Sequence, residues 1–272
     1  MEGVFESISK NVKVSANRYL HEDGLLYCGI CHKPTEHIIT NPLNGEVMKV
    51  NVTCDCVEAE LKARADREQA EERERRRSIC FSQTNMKAWN FQNDDRRDER
   101  LSNAMEKYVE NFEMFKKEGR GLLLFGNVGT GKTYYACCIA NGVIDKDYHV
   151  YVTSFREIVN KLQGMWEGKQ EYIDSLNKYS LLVIDDLGAE RTTDFMQEQI
   201  FSIVDSRYRS GLPFIVTTNL SMEQIKKPQD IAYARIYDRI LERCHPIKVD
   251  GVSRRRESVK DNYLNTNMIL GL

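Results

Sequence analysis

The sequence predicts an α/β chain: a mainly parallel sheet with helices on both faces, preceded by a small cysteine-bearing module. Three observations lead there. From residue 101 onward, short apolar runs alternate with helical patterns, and strands separated by helices pair in parallel under cover on both faces. One run, Leu122-Leu123-Leu124-Phe125, feeds into Gly126-Asn127-Val128-Gly129-Thr130-Gly131-Lys132-Thr133. That octet fits G-x-x-x-x-G-K-[ST], whose glycines let backbone N–H groups turn inward around phosphate oxygens. Four cysteines lie within residues 28–56, ahead of this region.

Bulk properties set the limits. A length of 272 residues suits one large domain, or one plus a small module. Hydrophobic content of 41% with 29% charge is ordinary for a globular chain. A net charge of −2 excludes a globally basic footprint, so contact with nucleic acid must come from local patches. No stretch approaches the roughly 18 apolar residues that span a bilayer, so no membrane partner is expected. The start, Met1-Glu2-Gly3-Val4-Phe5-Glu6, lacks the basic-then-apolar layout of a secretory signal. A cytoplasmic chain is expected, and its eight cysteines then read as thiols or metal ligands rather than disulfides.

Taken in order, residues 1–20 read as a short helical lead, with Val4, Phe5, Ile8 and Val12 at helical spacing. Residues 24–56 are short-stranded, punctuated by Pro34, Pro42 and the hairpin pair Asn44-Gly45. Residues 57–79 form a charged helix, either a solvated connector held by i,i+4 pairs or a partner-binding helix with Arg73, Arg75, Arg76 and Arg77 as its basic end. An irregular linker with Trp89 and Phe91 covers 80–100, and a helix runs from 101 to about 117. Strands are expected at 121–125, 149–153, 181–184, 214–217 and 247–249, with helices at 133–143, 155–163, 195–210 and 232–242. The division is 1–60, a metal-binding adaptor; 61–100, helix and linker; and 101–272, the nucleotide-binding core.

The strand before the octet and the helix after it place the glycine-rich turn at a helix N-terminus, which already favours anions. Lys132 would reach the β and γ phosphates of ATP, and the Thr133 hydroxyl would bind Mg²⁺. Leu181-Leu182-Val183-Ile184-Asp185-Asp186 is an apolar strand delivering two carboxylates. Asp185 is the Mg²⁺-associated residue, acting through a bound water, and Asp186 the one that polarises the attacking water. Phe214-Ile215-Val216-Thr217-Thr218-Asn219 puts a polar tip at the same sheet edge. Asn219 or one of the two threonines contacts the γ-phosphate or the water, unless Asn219 merely caps the next turn. Arg235 and Arg239 share one helix face. They are either an arginine finger acting across a subunit boundary or a surface pair bridged to Asp238 or Glu242.

Cys28-Gly29-Ile30-Cys31 and Cys54-Asp55-Cys56 offer four thiolates for one Zn²⁺, with His32 and His37 as substitutes should Cys56 turn away. A segment too small for its own apolar core gains from such a metal.

Together the P-loop, the L-L-V-I-D-D-L-G strand, the T-T-N tip and the helix A-R-I-Y-D-R-I-L-E-R resemble the DnaC/DnaI/IstB-like branch of AAA+ ATPases, over residues 85 to 260. The N-terminal third resembles the cysteine-bearing adaptor of DnaI-like and phage-encoded helicase loaders. The resemblance implies an AAA+ core, Asn219 as sensor 1, and Arg239 ahead of Arg235 as the finger, hence ATP-dependent self-assembly. It also implies a basic sensor-2-like residue at Arg254 or Arg255. Two departures stand out: Asp186 replaces the more usual Glu, retracting the carboxylate by roughly 1.5 Å, and no separate helical lid domain fits residues 250–272.

The function these features imply is an ATPase that loads a DnaB-type replicative helicase onto single-stranded DNA, with Lys161, Trp166, Lys169 and Tyr172 as candidate DNA contacts. The alternatives are an IstB-like regulator of a transposase, a P-loop small-molecule kinase, and an ATP switch that does not hydrolyse.

Overall fold

The computed structural model describes residues 17–42, 44–81, 84–188, 193–228 and 230–271. The chain divides into two compact units, Met1–Glu72 and Arg73–Leu272.

The first unit holds two antiparallel hairpins. β1 (Arg18–Leu20) pairs with β2 (Leu26–Cys28), and β3 (Glu36–Thr40) with β4 (Val47–Asn51). The helical lead expected over 1–20 lies mostly outside the described residues, and its last part is strand: Arg18, Tyr19 and Leu20 sit opposite Cys28, Tyr27 and Leu26. Val4, Phe5, Ile8 and Val12, which carried the helical spacing, lie outside the described residues. The Asn44-Gly45 turn forms, with Gly45 at φ +70° and its N–H donating to Asn41 O at 2.8 Å.

α1 (Asp55–Cys80) carries the chain into the second unit. Asp55 and Glu58 in its first turn and Arg77 in its last complement the helix dipole, and Arg64 meets Glu68 at 2.9 Å one turn on. Its basic end is not free for a partner as one reading had it. Arg73 Nη2 lies 3.1 Å from Asp147 Oδ2, Arg76 Nη1 donates to Asp147 O at 2.6 Å, and Arg77 bonds Asp145 and Asn141.

The second unit is built on five parallel strands in the order β6-β7-β8-β5-β9: β5 (Gly121–Phe125), β6 (Val150–Ser154), β7 (Leu181–Leu187), β8 (Phe214–Thr218) and β9 (Cys244–Lys248). Side chains alternate across it. Leu122, Leu124, Val183 and Ile215 pack under α2 (Glu99–Glu110) and α4 (Lys132–Asp145). Leu123, Leu182, Ile184 and Val216 pack under α5 (Phe155–Gln163), α7 (Asp194–Ser210) and α9 (Ile231–Arg243). Short elements complete the fold: α3 (Phe112–Glu118), α6 (Lys169–Ser175), α8 (Met222–Lys226) and, after the sheet, α10 (Arg254–Leu270).

Caps fix the helix starts. Ser154 and Glu157 form a reciprocal capping box on α5, and Asp98 accepts from Leu101 N–H on α2. The single helix expected over 101–117 breaks at Asn111, whose side-chain amide donates to Lys107 O at 2.8 Å and whose backbone leaves the helical region. β9 begins at Cys244, three residues before the expected start, because α9 ends there in extended backbone opposite Gly121.

Arg207, on α7, is fully buried, and carbonyls rather than carboxylates accept from it among the described residues. Its guanidinium donates to the carbonyls of Leu176, Tyr179, Ser180 and Pro213, at 3.4, 3.0, 3.3 and 2.6 Å. It thereby ties together the segments that enter β7 and β8.

Candidate functional site

Strands β7, β8 and β5 are neighbours, so their carboxyl ends meet at one sheet edge. The P-loop leaves β5 there. Gly126 (φ +145°) and Gly129 (φ +84°) adopt backbone that side chains rarely take. A Cβ on Gly126 would come within 2.3 Å of Val249 O, so glycine is required both by φ and by the approach of the segment after β9.

A cavity of about 390 Å³ opens over this edge, lined by Val128, Gly129, Gly131, Lys132, Thr133, Asp185, Asp186, Thr217, Asn219, Arg254 and Arg255, with Trp89 and Tyr134 in the same wall. Val128, Gly129, Gly131, Lys132 and Thr133 of the predicted P-loop thus meet the two acids and Asn219 at one cavity, whereas Gly126, Asn127 and Thr130 are not among its lining residues. Thr133 Oγ1 donates to Asp185 at 2.9 Å. Lys132 Nζ donates to Gly126 O, Asn127 O and Asn219 Oδ1 at 3.0, 2.7 and 2.7 Å. Asn219 Nδ2 in turn donates to Asp186 Oδ1 at 3.2 Å, so Asn219 bridges lysine and acid rather than only capping a turn. Thr217 Oγ1 donates to Asp185 Oδ1 at 2.5 Å and accepts from Asp186 N–H at 3.0 Å.

Electrostatics follow from burial. Desolvation pushes the Asp185 carboxyl above its ordinary range, opposed by the hydroxyls of Thr217 and Thr133. Desolvation also pulls the Lys132 ammonium down, while Asp186 and Asp185 pull it up. A half-buried carboxylate in contact with a hydroxyl is an oxygen donor set of the kind that fits Mg²⁺, with Thr133 and Asp185 as its protein contacts.

Arg254 and Arg255 both reach the cavity. Arg254 is anchored, 2.9 Å from Asp95 and over the Tyr134 ring at 5.8 Å, whereas Arg255 is exposed. Arg235 and Arg239 are not brought to this cavity. They lie along α9 over Phe201, at 4.3 and 4.6 Å, and Arg239 Nε is 2.7 Å from Asp205. The carboxylate that meets Arg239 is Asp205 rather than Asp238 or Glu242, and Glu242 accepts from the Tyr208 hydroxyl.

Sequence reading missed the aromatic wall. Trp89 and Tyr134 have ring centroids 6.0 Å apart, and the Tyr134 hydroxyl donates to Asn90 O at 3.0 Å. Trp89 stood in an apparently irregular linker. The only available pointer was an exposed-type segment holding a tryptophan.

In the first unit, Cys28, Cys31, Cys54 and Cys56 converge, their sulfurs all within 4.8 Å of one another. Cys56 turns inward, 3.3 Å from Cys28 and 3.1 Å from Cys54, so neither histidine is needed. A tetrahedral Zn²⁺ with Zn–S of about 2.3 Å calls for S···S of about 3.8 Å, close to these spacings. Backbone N–H groups of Cys31 and Ile30 hold the Cys28 thiol down to about 6, while the neighbouring Cys54 and Cys28 sulfurs push the Cys56 thiol up to about 12. The cluster suggests a zinc site.

A P-loop and paired acids at the carboxyl edge of a five-stranded parallel sheet define an ATP-binding protein of the AAA+ type. The chain belongs to the family of IstB-like ATP binding proteins, whose model matches residues 47–261. It is 32% identical over 152 residues to the replicative helicase loader DnaI of Bacillus subtilis (strain 168), covering 51% of this chain and 48% of that protein. It is 26% identical over 142 residues to the replicative helicase loader DnaC of Escherichia coli (strain K12), covering 51% of this chain and 57% of that one. The chain thus spans about half the length of these curated relatives. A crystal structure of DnaI superposes with a TM-score of 0.56 at 26% identity, over 66% of this chain and 99% of that one.

Proposed function

We propose that this chain hydrolyses ATP and loads a DnaB-type replicative helicase onto single-stranded DNA. What carries the reading is one chain that joins a four-cysteine cluster to a nucleotide site on a DnaI-like fold. Lys132 and the P-loop N–H groups hold the phosphates, and Trp89 and Tyr134 offer a stacking wall for the base. Thr133 and Asp185 would hold Mg²⁺, which would supply charge neutralisation at the phosphates. Asp186 orients the attacking water, with Asn219 fixing the direction of its carboxylate. Because Asp186 is a methylene shorter than Glu, turnover is slow: a displacement of about 1 Å costs on the order of 100-fold.

Arg239 of a neighbouring subunit completes the site, with Arg235 second, and Arg255, or Arg254, senses the bound nucleotide. The cysteine module, with zinc bound, grips the helicase. Trp166 is fully exposed, Lys161 lies over the Tyr172 ring at 4.3 Å and Lys169 over the Phe195 ring at 5.5 Å, and these cations and aromatics are the proposed contacts to single-stranded DNA.

Co-purification of the full chain with a replicative helicase, with and without ATP and with zinc measured in the same sample, tests the proposal. Absence of association in both conditions overturns it. Because the matching family model bears the IstB name, a transposase is the second candidate client, and its retention in place of the helicase would favour that reading.

A further inference from the structure

Two residues of β7 face one residue of β8 at the site. Ile184 pairs with Val216 and Leu187 with Thr218, which leaves Asp185 and Asp186 together opposite Thr217. This is a β-bulge, and bulges commonly re-aim side chains next to active sites. Asp186 takes up the extra length in left-handed backbone at φ +66°, unusual for a residue that is not glycine. The bulge also removes Asp186 N–H from the regular ladder. Thr217 supplies its replacement partner through Oγ1 at 3.0 Å, and spends the hydroxyl proton on Asp185 Oδ1 at 2.5 Å. The threonine is 1% exposed, so water cannot readily substitute for it.

We infer that Thr217 is a positioning residue that sets both acids through one hydroxyl. On the donor side it aims the Asp185 carboxylate at Thr133, where Mg²⁺ would bind. On the acceptor side it pins the bulge that turns Asp186 toward Asn219. The two acids are therefore coupled: neither keeps its direction if the hydroxyl is lost. This inference rests on the proposed ATP hydrolysis for its kinetic consequences, but its geometric part concerns nucleotide and Mg²⁺ binding alone.

Thr217→Val removes the hydroxyl at nearly unchanged volume, and Thr217→Ser restores it. Nucleotide binding is titrated at rising Mg²⁺ and in its absence, alongside ADP release and thermal unfolding. In T217V, Mg²⁺-free ATP binding stays within about threefold of the parent, while the Mg²⁺ needed for half-maximal binding rises about tenfold and turnover falls about 10- to 100-fold, the usual cost of losing a group that orients a metal ligand. T217S stays near the parent in all three. A merely structural threonine would lower the melting temperature without changing the Mg²⁺ requirement.

An unchanged Mg²⁺ requirement in T217V, or a T217S as impaired as T217V, overturns the inference. Should T217V fail to fold, Thr217→Ala is put through the same titration, and failure of both to fold assigns Thr217 to stability and overturns it too. A parent chain that binds ATP with Mg²⁺ but releases no ADP ends the hydrolysis reading instead, and the Mg²⁺ titration still decides Thr217.

Discussion

Asp185 is an acid placed where its charge is costly, and that fixes how it responds to pH. Burial raises its carboxyl pKa above the ordinary 3.8 in the folded chain. The folded state therefore holds a proton that the unfolded state has released, over the window that opens above 3.8. The contribution of this group to stability is full at low pH and is lost as pH rises through the folded value. Asp185→Asn should then raise the melting temperature at pH 7 without nucleotide, and the difference from the parent should shrink on acidification toward pH 4, followed by thermal unfolding across that range. The same variant should weaken Mg²⁺-dependent ATP binding. Lys132 makes the complementary case. Lys132→Ala removes a charge-assisted donor from the phosphate cradle, and ATP affinity measured by titration should fall roughly 10- to 100-fold. Both residues could be read from their motifs. Thr217 could be read there only as a candidate phosphate or water contact, because its positioning role depends on a register shift between residues 31 apart in the chain, which no local pattern records.

At the scale of elements, apolar runs announced the five strands well, since a strand buried on both faces must be continuously apolar. Their ends were less clear: β9 starts at Cys244 and runs through Pro246, and its extent is set by pairing with β5 rather than by composition. α10 was not expected, because its sequence carries no amphipathic stripe; Val259 and Tyr263 on it are exposed. Arg207 was invisible for another reason. A lone arginine in a helix reads as a surface residue, yet here four carbonyls surround it. Arg207→Met would leave those buried acceptors without a donor and should destabilise the chain by about 3 kcal/mol, read from denaturant unfolding. The cysteine cluster is the other element whose stability is concentrated in few atoms. Purified chain should carry one zinc, and Cys54→Ser should both lose the metal and expose residues 17–54 to protease, because the unit has little apolar core to fall back on.

For the whole molecule, the proposed finger gives the clearest outcome. Arg239 is not among the residues lining the cavity of its own chain, so in the proposed role it acts from a neighbour. Arg239→Ala should cost on the order of 1000-fold in turnover while leaving ATP affinity nearly intact. Mixing R239A with K132A, each inactive alone, should regenerate activity in a phosphate-release assay, since one contributes an intact pocket and the other an intact arginine. Lack of recovery on mixing would place the arginine's work within α9 and its contacts to Phe201 and Asp205. The fold class and the convergence of acids on the P-loop were legible because parallel topology forces those strand ends together. Whether neighbours meet was not, because a finger is a relation between copies.

Arg207 gives β7 and β8 a common zero mark. With their entering segments bolted to one guanidinium, Leu182 opposite Phe214 and Ile184 opposite Val216 count in step. A surplus residue in β7 has no outlet at that end and surfaces as a phase error at the other. The two strands act as a vernier: the mismatch emerges at Asp185 and Asp186, and a residue inserted beyond Ile184 would enlarge it at the nucleotide edge while Leu182, Val183 and Ile184 keep their faces.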